Sequence, residues 1–158
     1  MLTYTCDSVE ATQSLAACLG RLVRPGDLLT MTGDLGAGKT TFTQGLAHGL
    51  GVEEPVSSPT FTIIKEYEEG RIPLYHMDIY RLGAGALDED LGFEEYFYGD
   101  GVTVVEWAEW LEELLPEDRV GVTIRLADGG GRVVSLQASG ARSEVLLKEL
   151  SESCPMSR

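Results

Sequence analysis

The sequence predicts an α/β fold with a mixed central sheet between two layers of helices. Short apolar segments alternate with amphipathic ones in the N-terminal third of the chain, which indicates strands separated by helices. Farther on, two pairs of strand-like segments are joined by short glycine-containing turns, and these predict antiparallel hairpins. Hairpins beside strands linked through helices make the sheet mixed rather than purely parallel. With 158 residues, we expect one domain over residues 1–150 and a disordered tail over 151–158.

The first elements lead to a glycine-rich loop. Residues 2–6 predict a strand, and Asp7 with Glu10 three positions later predicts a capping box that starts a helix. The turn at residues 25–27 precedes a short buried strand over 28–32. A second helix is predicted from Thr41 to Leu50 and is closed by Gly51.

The middle of the chain predicts a polar loop, a hairpin and an acidic helical region. Residues 53–60 contain two prolines and several polar side chains, which is typical of an ordered loop. Residues 61–67 and 72–80 predict the two strands of the first hairpin. Residues 84–98 predict one or two short helices interrupted at Gly92.

The C-terminal part begins with the most uniformly apolar strand of the chain. This strand, residues 102–105, ends on Glu106, and an amphipathic helix is predicted over 107–115 until Pro116 terminates it. Residues 119–127 and 132–138 predict the second hairpin. A last helix is predicted at about 143–150.

The charge of the chain is strongly negative. There are 26 acidic and 12 basic side chains, which gives a net charge of −14, and residues 88–118 hold 12 carboxylates without any Lys or Arg. Such a surface repels a phosphate backbone, so direct binding of RNA or DNA is disfavoured. The acidic stretch is interpreted either as a solvated face or as a docking surface for a basic partner.

Cysteine spacing and hydropathy predict a reduced compartment. Cys6, Cys18 and Cys154 lack both metal-finger and CxxC spacing, so we expect no disulfide framework. The N-terminus lacks the basic and apolar regions of a secretory signal, and no segment approaches the roughly 18 apolar residues that span a bilayer. These patterns predict a cytoplasmic protein.

The glycine-rich loop carries the strongest functional signal. Two glycines separated by four residues are followed by a lysine and a hydroxyl residue, a pattern typical of phosphate binding. In such a loop the backbone N–H groups and the start of the next helix surround an anion. Lysine then contacts the β- and γ-phosphates, and the hydroxyl binds Mg²⁺. The predicted phosphate-binding residues of the loop are Gly33, Asp34, Leu35, Gly36, Ala37, Gly38, Lys39, Thr40 and Thr41.

A phosphate loop of this kind commonly works with a carboxylate on a neighbouring strand. Glu106 follows the apolar strand 102–105, at the end where open α/β sheets bind their ligands. Asp78 ends a less regular strand. We therefore expect Glu106 to hold the metal and Asp78 to orient the attacking water or to lie behind the metal ligands. His76, two residues before Asp78 on the same face, is too isolated to be assigned a catalytic role.

Four motifs follow one another along the chain, at residues 33–41, residues 58–62, residues 76–82 and residues 105–107. In their order and spacing they closely resemble the TsaE family of small bacterial ATPases, which are needed to make threonylcarbamoyladenosine in tRNA. The resemblance covers about residues 8–126 and implies a P-loop NTPase-type three-layer fold, ATP with Mg²⁺ as cofactors, and a cytoplasmic partnership with the TsaB and TsaD type subunits of the threonylcarbamoyl transferase. It implies metal binding by Thr40 and Glu106, catalytic roles for Lys39, Asp78 and Thr60 near the γ-phosphate, and a place for Trp107 beside the nucleotide. Contact with tRNA would be indirect.

A small-molecule kinase and a guanine-specific switch protein are the other functions that a short phosphate-loop domain can have besides that of a partner-dependent ATPase. A small-molecule kinase needs a cationic lid that shields phosphoryl transfer from water, and residues 82–118 contain no Arg or Lys to supply one. A guanine-specific switch protein needs an Asn-Lys-x-Asp motif, and the chain contains no Asn. The kinase remains the alternative, and ATP is preferred over GTP.

Overall fold

A seven-stranded mixed sheet forms the centre of the protein in a computed structural model that describes residues 1–33, 38–57, 64–79, 92–106 and 113–154. The elements of these residues are β1 Leu2–Cys6, α1 Val9–Leu22, β2 Leu28–Gly33, α2 Lys39–Leu50, β3 Ile64–Tyr67, β4 Leu74–Asp78, α3 Phe93–Phe97, β5 Val102–Glu106, β6 Val120–Leu126, β7 Arg132–Ala138 and α4 Ala141–Ser153. The strand order is β1-β7-β6-β2-β5-β4-β3. β6, β2, β5 and β4 run parallel, and the antiparallel strands lie at both edges. The predicted mixed sheet and both hairpins are confirmed.

Helices cover both faces of this sheet, because apolar side chains of the strands lie on both faces and are buried there. Successive residues of a strand point to opposite faces. In β5, Val104 packs in the cluster with α1, α2 and α4, whereas Val105 packs against Phe93 and Phe97 of α3 on the other face. The three-layer α/β prediction is therefore confirmed.

Glycines allow α1 and α2 to pack closely. A Cβ added at Gly45 would lie 2.5 Å from the carbonyl oxygen of Gln13, and one added at Gly49 would overlap that of Ala17. Gly20 of α1 makes the same kind of approach to Leu46. Any larger side chain would push the helices apart, so these glycines fix α2, and with it the end of the glycine-rich loop, against the sheet.

Several helix boundaries differ from the predictions. α1 is capped by Ser8 instead of Asp7, because the Ser8 hydroxyl accepts a hydrogen bond from the Ala11 amide at 3.0 Å. α4 begins at Ala141 and continues to Ser153, so residues 151–153, which were expected in the tail, are helical. Residues 113–115, expected as the end of a helix, form a turn. The rest of that predicted helix, residues 107–112, and residues 84–91 lie outside the described residues.

One disulfide contradicts the expectation of reduced cysteines. Cys18 and Cys154 are bonded, with their Cα atoms 6.3 Å apart, while Cys6 is a buried free thiol. The bond forms because α1 and the end of α4 pack side by side on one face of the sheet, which brings together residues separated by 136 positions in the chain. Spacing along the sequence carries no sign of this proximity.

No helix among the described residues has both the length and the apolar character needed to cross a membrane.

Candidate functional site

The glycine-rich loop connects β2 to α2 at the carboxyl end of the parallel strands. β2 ends at Gly33, and α2 begins at Lys39 directly after Gly38. Gly38 has a φ of +112°, a backbone conformation that side chains disfavour, so glycine is required there. Gly38, the N-cap residue of α2, has no side chain that could cap the first-turn N–H groups. Four predicted loop residues, Asp34, Leu35, Gly36 and Ala37, lie outside the described residues.

Lys39 and Glu106 meet at this end of the sheet. β5 lies beside β2 in parallel, with Glu106 in register with Met31, two residues before β2 ends. Glu106 is only 4% exposed, and its Oε1 lies 3.8 Å from Lys39 Nζ. The predicted phosphate-binding lysine and the predicted metal carboxylate are thus brought together from positions 67 residues apart in the sequence.

Asp78 lies directly beside Glu106 in the sheet. The two residues are in register across the parallel strands β4 and β5, and the Ile79 amide donates to the Glu106 carbonyl oxygen at 3.2 Å. Thr40 and Thr41 are partly buried in the first turn of α2. Thr60 and Trp107 lie outside the described residues. The described site residues therefore converge at one end of the sheet.

His76 belongs to the same group, which sequence reasoning missed. Its Nε2 lies 2.6 Å from Glu106 Oε2, and its side chain is completely buried. The available signal was the period of two that places His76 and Asp78 on one face of β4. That signal could not show which residue of the neighbouring strand His76 would contact.

A small cavity adjoins the loop on the side of β1. It has a volume of about 170 Å³ and is lined by Cys6, Ser8, Val9, Thr12, Gly38, Thr41, Gly130, Gly131 and Arg132. Burial raises the pKa of the Cys6 thiol, and the charge of Asp7 raises it further, whereas a hydrogen bond with Thr12 lowers it. Because the pKa is raised overall, Cys6 lines the cavity as a neutral thiol. Sequence reasoning missed this cavity because it forms only when β7 pairs with β1 and brings Arg132 into register with Cys6.

A larger cavity of about 760 Å³ lies between α1, α2 and residues 52–56. None of the predicted site residues that the structure describes lines it. We therefore place the candidate site at the loop and the end of β5.

The donor atoms at the loop suit Mg²⁺, a hard cation that prefers oxygen ligands. The Glu106 carboxylate and the Thr40 hydroxyl are the candidate protein ligands. Among the described residues there is no group of three or more His, Cys, Asp or Glu side chains that could hold a metal alone. Magnesium in nucleotide sites needs no such cage, since it is bound through one or two protein groups together with phosphates and water.

Parallel strands at the centre of a mixed sheet, a glycine loop that opens a helix, and a buried carboxylate on the adjacent strand define a protein of the phosphate-loop α/β class. Residues 6–134 match the family model described as "Threonylcarbamoyl adenosine biosynthesis protein TsaE". The chain belongs to the TsaE family.

Curated relatives and a solved structure agree with this assignment. The chain is 52% identical to the tRNA threonylcarbamoyladenosine biosynthesis protein TsaE of Bacillus subtilis over 90% of this chain and 89% of the relative. It is 42% identical to the protein of the same name from Treponema pallidum, over 82% of this chain and 95% of the relative. The crystal structure of Bacillus subtilis YdiB superposes with a TM-score of 0.84 at 46% identity, covering 96% of this chain and 94% of that one.

Proposed function

We propose that this protein binds and hydrolyses ATP with Mg²⁺ in support of threonylcarbamoyladenosine biosynthesis in tRNA. The observation that carries the proposal is the 3.8 Å approach of Lys39 Nζ, at the start of the glycine-loop helix, to the buried carboxylate of Glu106. A lysine and an acid meeting beside a phosphate loop are the charged groups that a metal–triphosphate requires. The names of the relatives support the biological role.

Each site residue has a distinct part in this proposal. Lys39 and the loop amides bind the β- and γ-phosphates, because several N–H donors and one cation converge there. Magnesium, when bound to Thr40 and Glu106, would neutralise phosphate charge. Asp78, in register with Glu106, orients the attacking water. Thr60 near the γ-phosphate and Trp107 beside the nucleotide remain proposals from family resemblance.

The small cavity beside the loop is proposed to hold the nucleoside. Gly38 and Thr41 line it, so it is continuous with the phosphate-binding end of α2. Its other walls combine polar groups of Ser8 and Thr12 with the guanidinium of Arg132. A planar base with hydrogen-bonding edges fits a cavity of this mixed character.

The partners proposed from the resemblance are the TsaB and TsaD type subunits of the threonylcarbamoyl transferase, in the cytoplasm. The net charge of −14 argues that contact with tRNA passes through these partners. Hydrolysis by the isolated protein is expected to be slow, because intrinsic turnover of phosphate-loop proteins is low until a charge-stabilising group is placed. The partner subunits are proposed to complete the site.

A binding titration tests the nucleotide site. Lys39→Ala should abolish binding of ATP measured by calorimetry, whereas Lys148→Ala, which removes an exposed lysine of α4, should bind as the unaltered protein does. Normal ATP binding by Lys39→Ala would refute the assignment of the site.

A rate measurement tests the partnership. Release of inorganic phosphate from ATP should increase when the purified transferase pair is added, and the Lys39→Ala protein should show no increase. Absence of stimulation would refute the partner dependence. Transfer of labelled phosphate to a metabolite instead of water would favour a kinase.

A further inference from the structure

His76 and Glu106 form a buried contact that the proposed roles of the site residues do not use. His76 lies on β4 and Glu106 on β5, and their side chains meet across neighbouring parallel strands. The His76 side chain is completely buried and that of Glu106 is 6% exposed. The two side chains are therefore shielded from bulk water, which would otherwise compete for this hydrogen bond.

The chemistry of the two groups sets the direction of the hydrogen bond. An ionised carboxylate can only accept, so a hydrogen bond between His76 Nε2 and ionised Glu106 carries its proton on Nε2. The other ring nitrogen, Nδ1, is buried with no hydrogen-bond partner among the described residues. Within the described part of the chain, the hydrogen-bond partner of the ring is therefore Glu106 Oε2, which lies beside Nε2.

The two oxygens of Glu106 consequently have different neighbours. Oε2 lies 2.6 Å from His76 Nε2, while Oε1 lies 3.8 Å from Lys39 Nζ at the loop. Fixing one oxygen of a planar carboxylate fixes the direction of the other. Without His76, the side-chain torsions of Glu106 would be free to turn either oxygen toward the loop.

We propose that His76 is a positioning residue that holds Glu106 Oε2 through its Nε2 proton, so that Glu106 Oε1 stays on the side of Lys39 and the loop, where Mg²⁺ would be held. The inference rests on the proposed ATP–Mg²⁺ site and adds to it the group that orients the metal carboxylate. Partners of this kind behind a metal ligand typically contribute a factor of about 10 to 100 in metal affinity.

Nuclear magnetic resonance tests the hydrogen bond without any ligand. The chain has two histidines, His48 and His76, and His48 is exposed on α2, so His48→Gln leaves His76 as the single imidazole. Nitrogen-15 spectra of this variant should show a proton on Nε2. An unprotonated Nε2 would overturn the inference, whatever the protein is found to bind.

Metal binding tests the consequence. Mn²⁺ serves as a paramagnetic probe for the Mg²⁺ site, and its affinity for the protein–ADP complex is measured by electron paramagnetic resonance. His76→Phe, which cannot donate, should weaken Mn²⁺ binding by about 10- to 100-fold, and His76→Gln, whose amide can donate, should restore most of it. Affinity for ADP in the presence of EDTA should not change, and His48→Gln should match the unaltered protein.

The outcomes separate this inference from the proposed function. Equal Mn²⁺ affinity in the unaltered protein and in folded His76→Phe would overturn the positioning role. Absence of ADP and Mn²⁺ binding by the unaltered protein would instead refute the proposed function. If His76→Phe does not fold, as judged by circular dichroism, the nitrogen-15 spectrum of the His48→Gln protein still decides whether Nε2 donates.

Discussion

Glu106 is the residue on which the candidate site depends most directly. It is a buried carboxylate between an imidazole and an ammonium group, and a buried charge is tolerated only when such partners surround it. Its place at the end of β5, beside the glycine loop, puts that negative charge where a metal–phosphate complex is proposed to lie. Removing the charge while keeping the shape of the side chain separates its electrostatic role from its packing role.

Glu106→Gln should therefore lower ATP hydrolysis by about 100-fold or more, since preorganised charge in an active site commonly contributes that much. Affinity for ATP without metal should be retained, because Lys39 and the loop amides remain. Steady-state phosphate release and calorimetry in EDTA measure the two quantities. Glu144→Gln, on the exposed face of α4, is the matched control, and unchanged hydrolysis by Glu106→Gln would exclude Glu106 from the metal site.

At the scale of elements, the position of α2 depends on its packing against α1. Gly49 touches the Ala17 backbone so closely that a methyl group cannot be added without separating the helices. In an exposed helix, replacing glycine by alanine stabilises by about 1 kcal/mol. At Gly49 the same substitution should instead destabilise the protein.

Gly49→Ala is expected to lower the free energy of unfolding by about 1 to 3 kcal/mol, which is the usual cost of overpacking a core. Urea denaturation followed by circular dichroism measures the change. Gly121→Ala is the control, because the nearest atoms to an added Cβ in β6 lie at an ordinary 3.7 Å. A stabilised Gly49→Ala protein would mean that α1 and α2 do not pack as closely as described.

The start of α4 is held by a residue from a distant part of the chain. Asp118 accepts hydrogen bonds from the amides of Arg142 at 2.8 Å and Ser143 at 2.9 Å. Burial acts to raise the pKa of the Asp118 carboxyl, but hydrogen bonds from Ser143 and Arg142 and the charge of Arg142 outweigh it and leave the pKa below its ordinary value. The ionised form is thus the one that caps the helix.

The pKa of Asp118 is lower in the folded protein than in the unfolded chain, so its ionised form stabilises the fold. This stabilisation is fully present above the ordinary aspartate pKa of about 3.9, and it is lost as the pH falls through the pKa of Asp118 in the folded protein. Asp118→Ala should cost about 1 kcal/mol at pH 7, a typical value for a helix cap. The difference from the unaltered protein should shrink in denaturation curves recorded below the ordinary pKa. Asp128→Ala, in an exposed turn, is the control and should show no such pH dependence. If Asp118→Ala lowered the free energy of unfolding by the same amount at every pH, the capping role of the ionised carboxylate would be contradicted.

At the scale of the whole molecule, the positions of strands and helices could be predicted because they depend on local sequence patterns. Contacts between side chains of different strands could not be predicted because they depend on the order of the strands in the sheet. The run of apolar and β-branched residues over 102–105 and the glycine spacing of residues 33–38 act locally, so β5, the end of β2 and the start of α2 could be predicted. The contact of His76 with Glu106 and the cavity beside Arg132 depend on which strands become neighbours. No residue pattern in a single sequence specifies that order.

The Cys18–Cys154 bond is a property of the whole molecule, because it joins α1 to the end of α4 across 136 positions. A cross-link that closes so long a loop restricts the unfolded chain and typically stabilises a protein by about 2 to 4 kcal/mol. The oxidised protein should therefore unfold at a higher urea concentration than the same protein in a reducing buffer. Cys154→Ser should unfold at one midpoint in both buffers, whereas Cys6→Ser, which removes the free thiol, should keep the difference. Identical midpoints for the unaltered protein with and without reductant would show that the bond does not contribute to its stability.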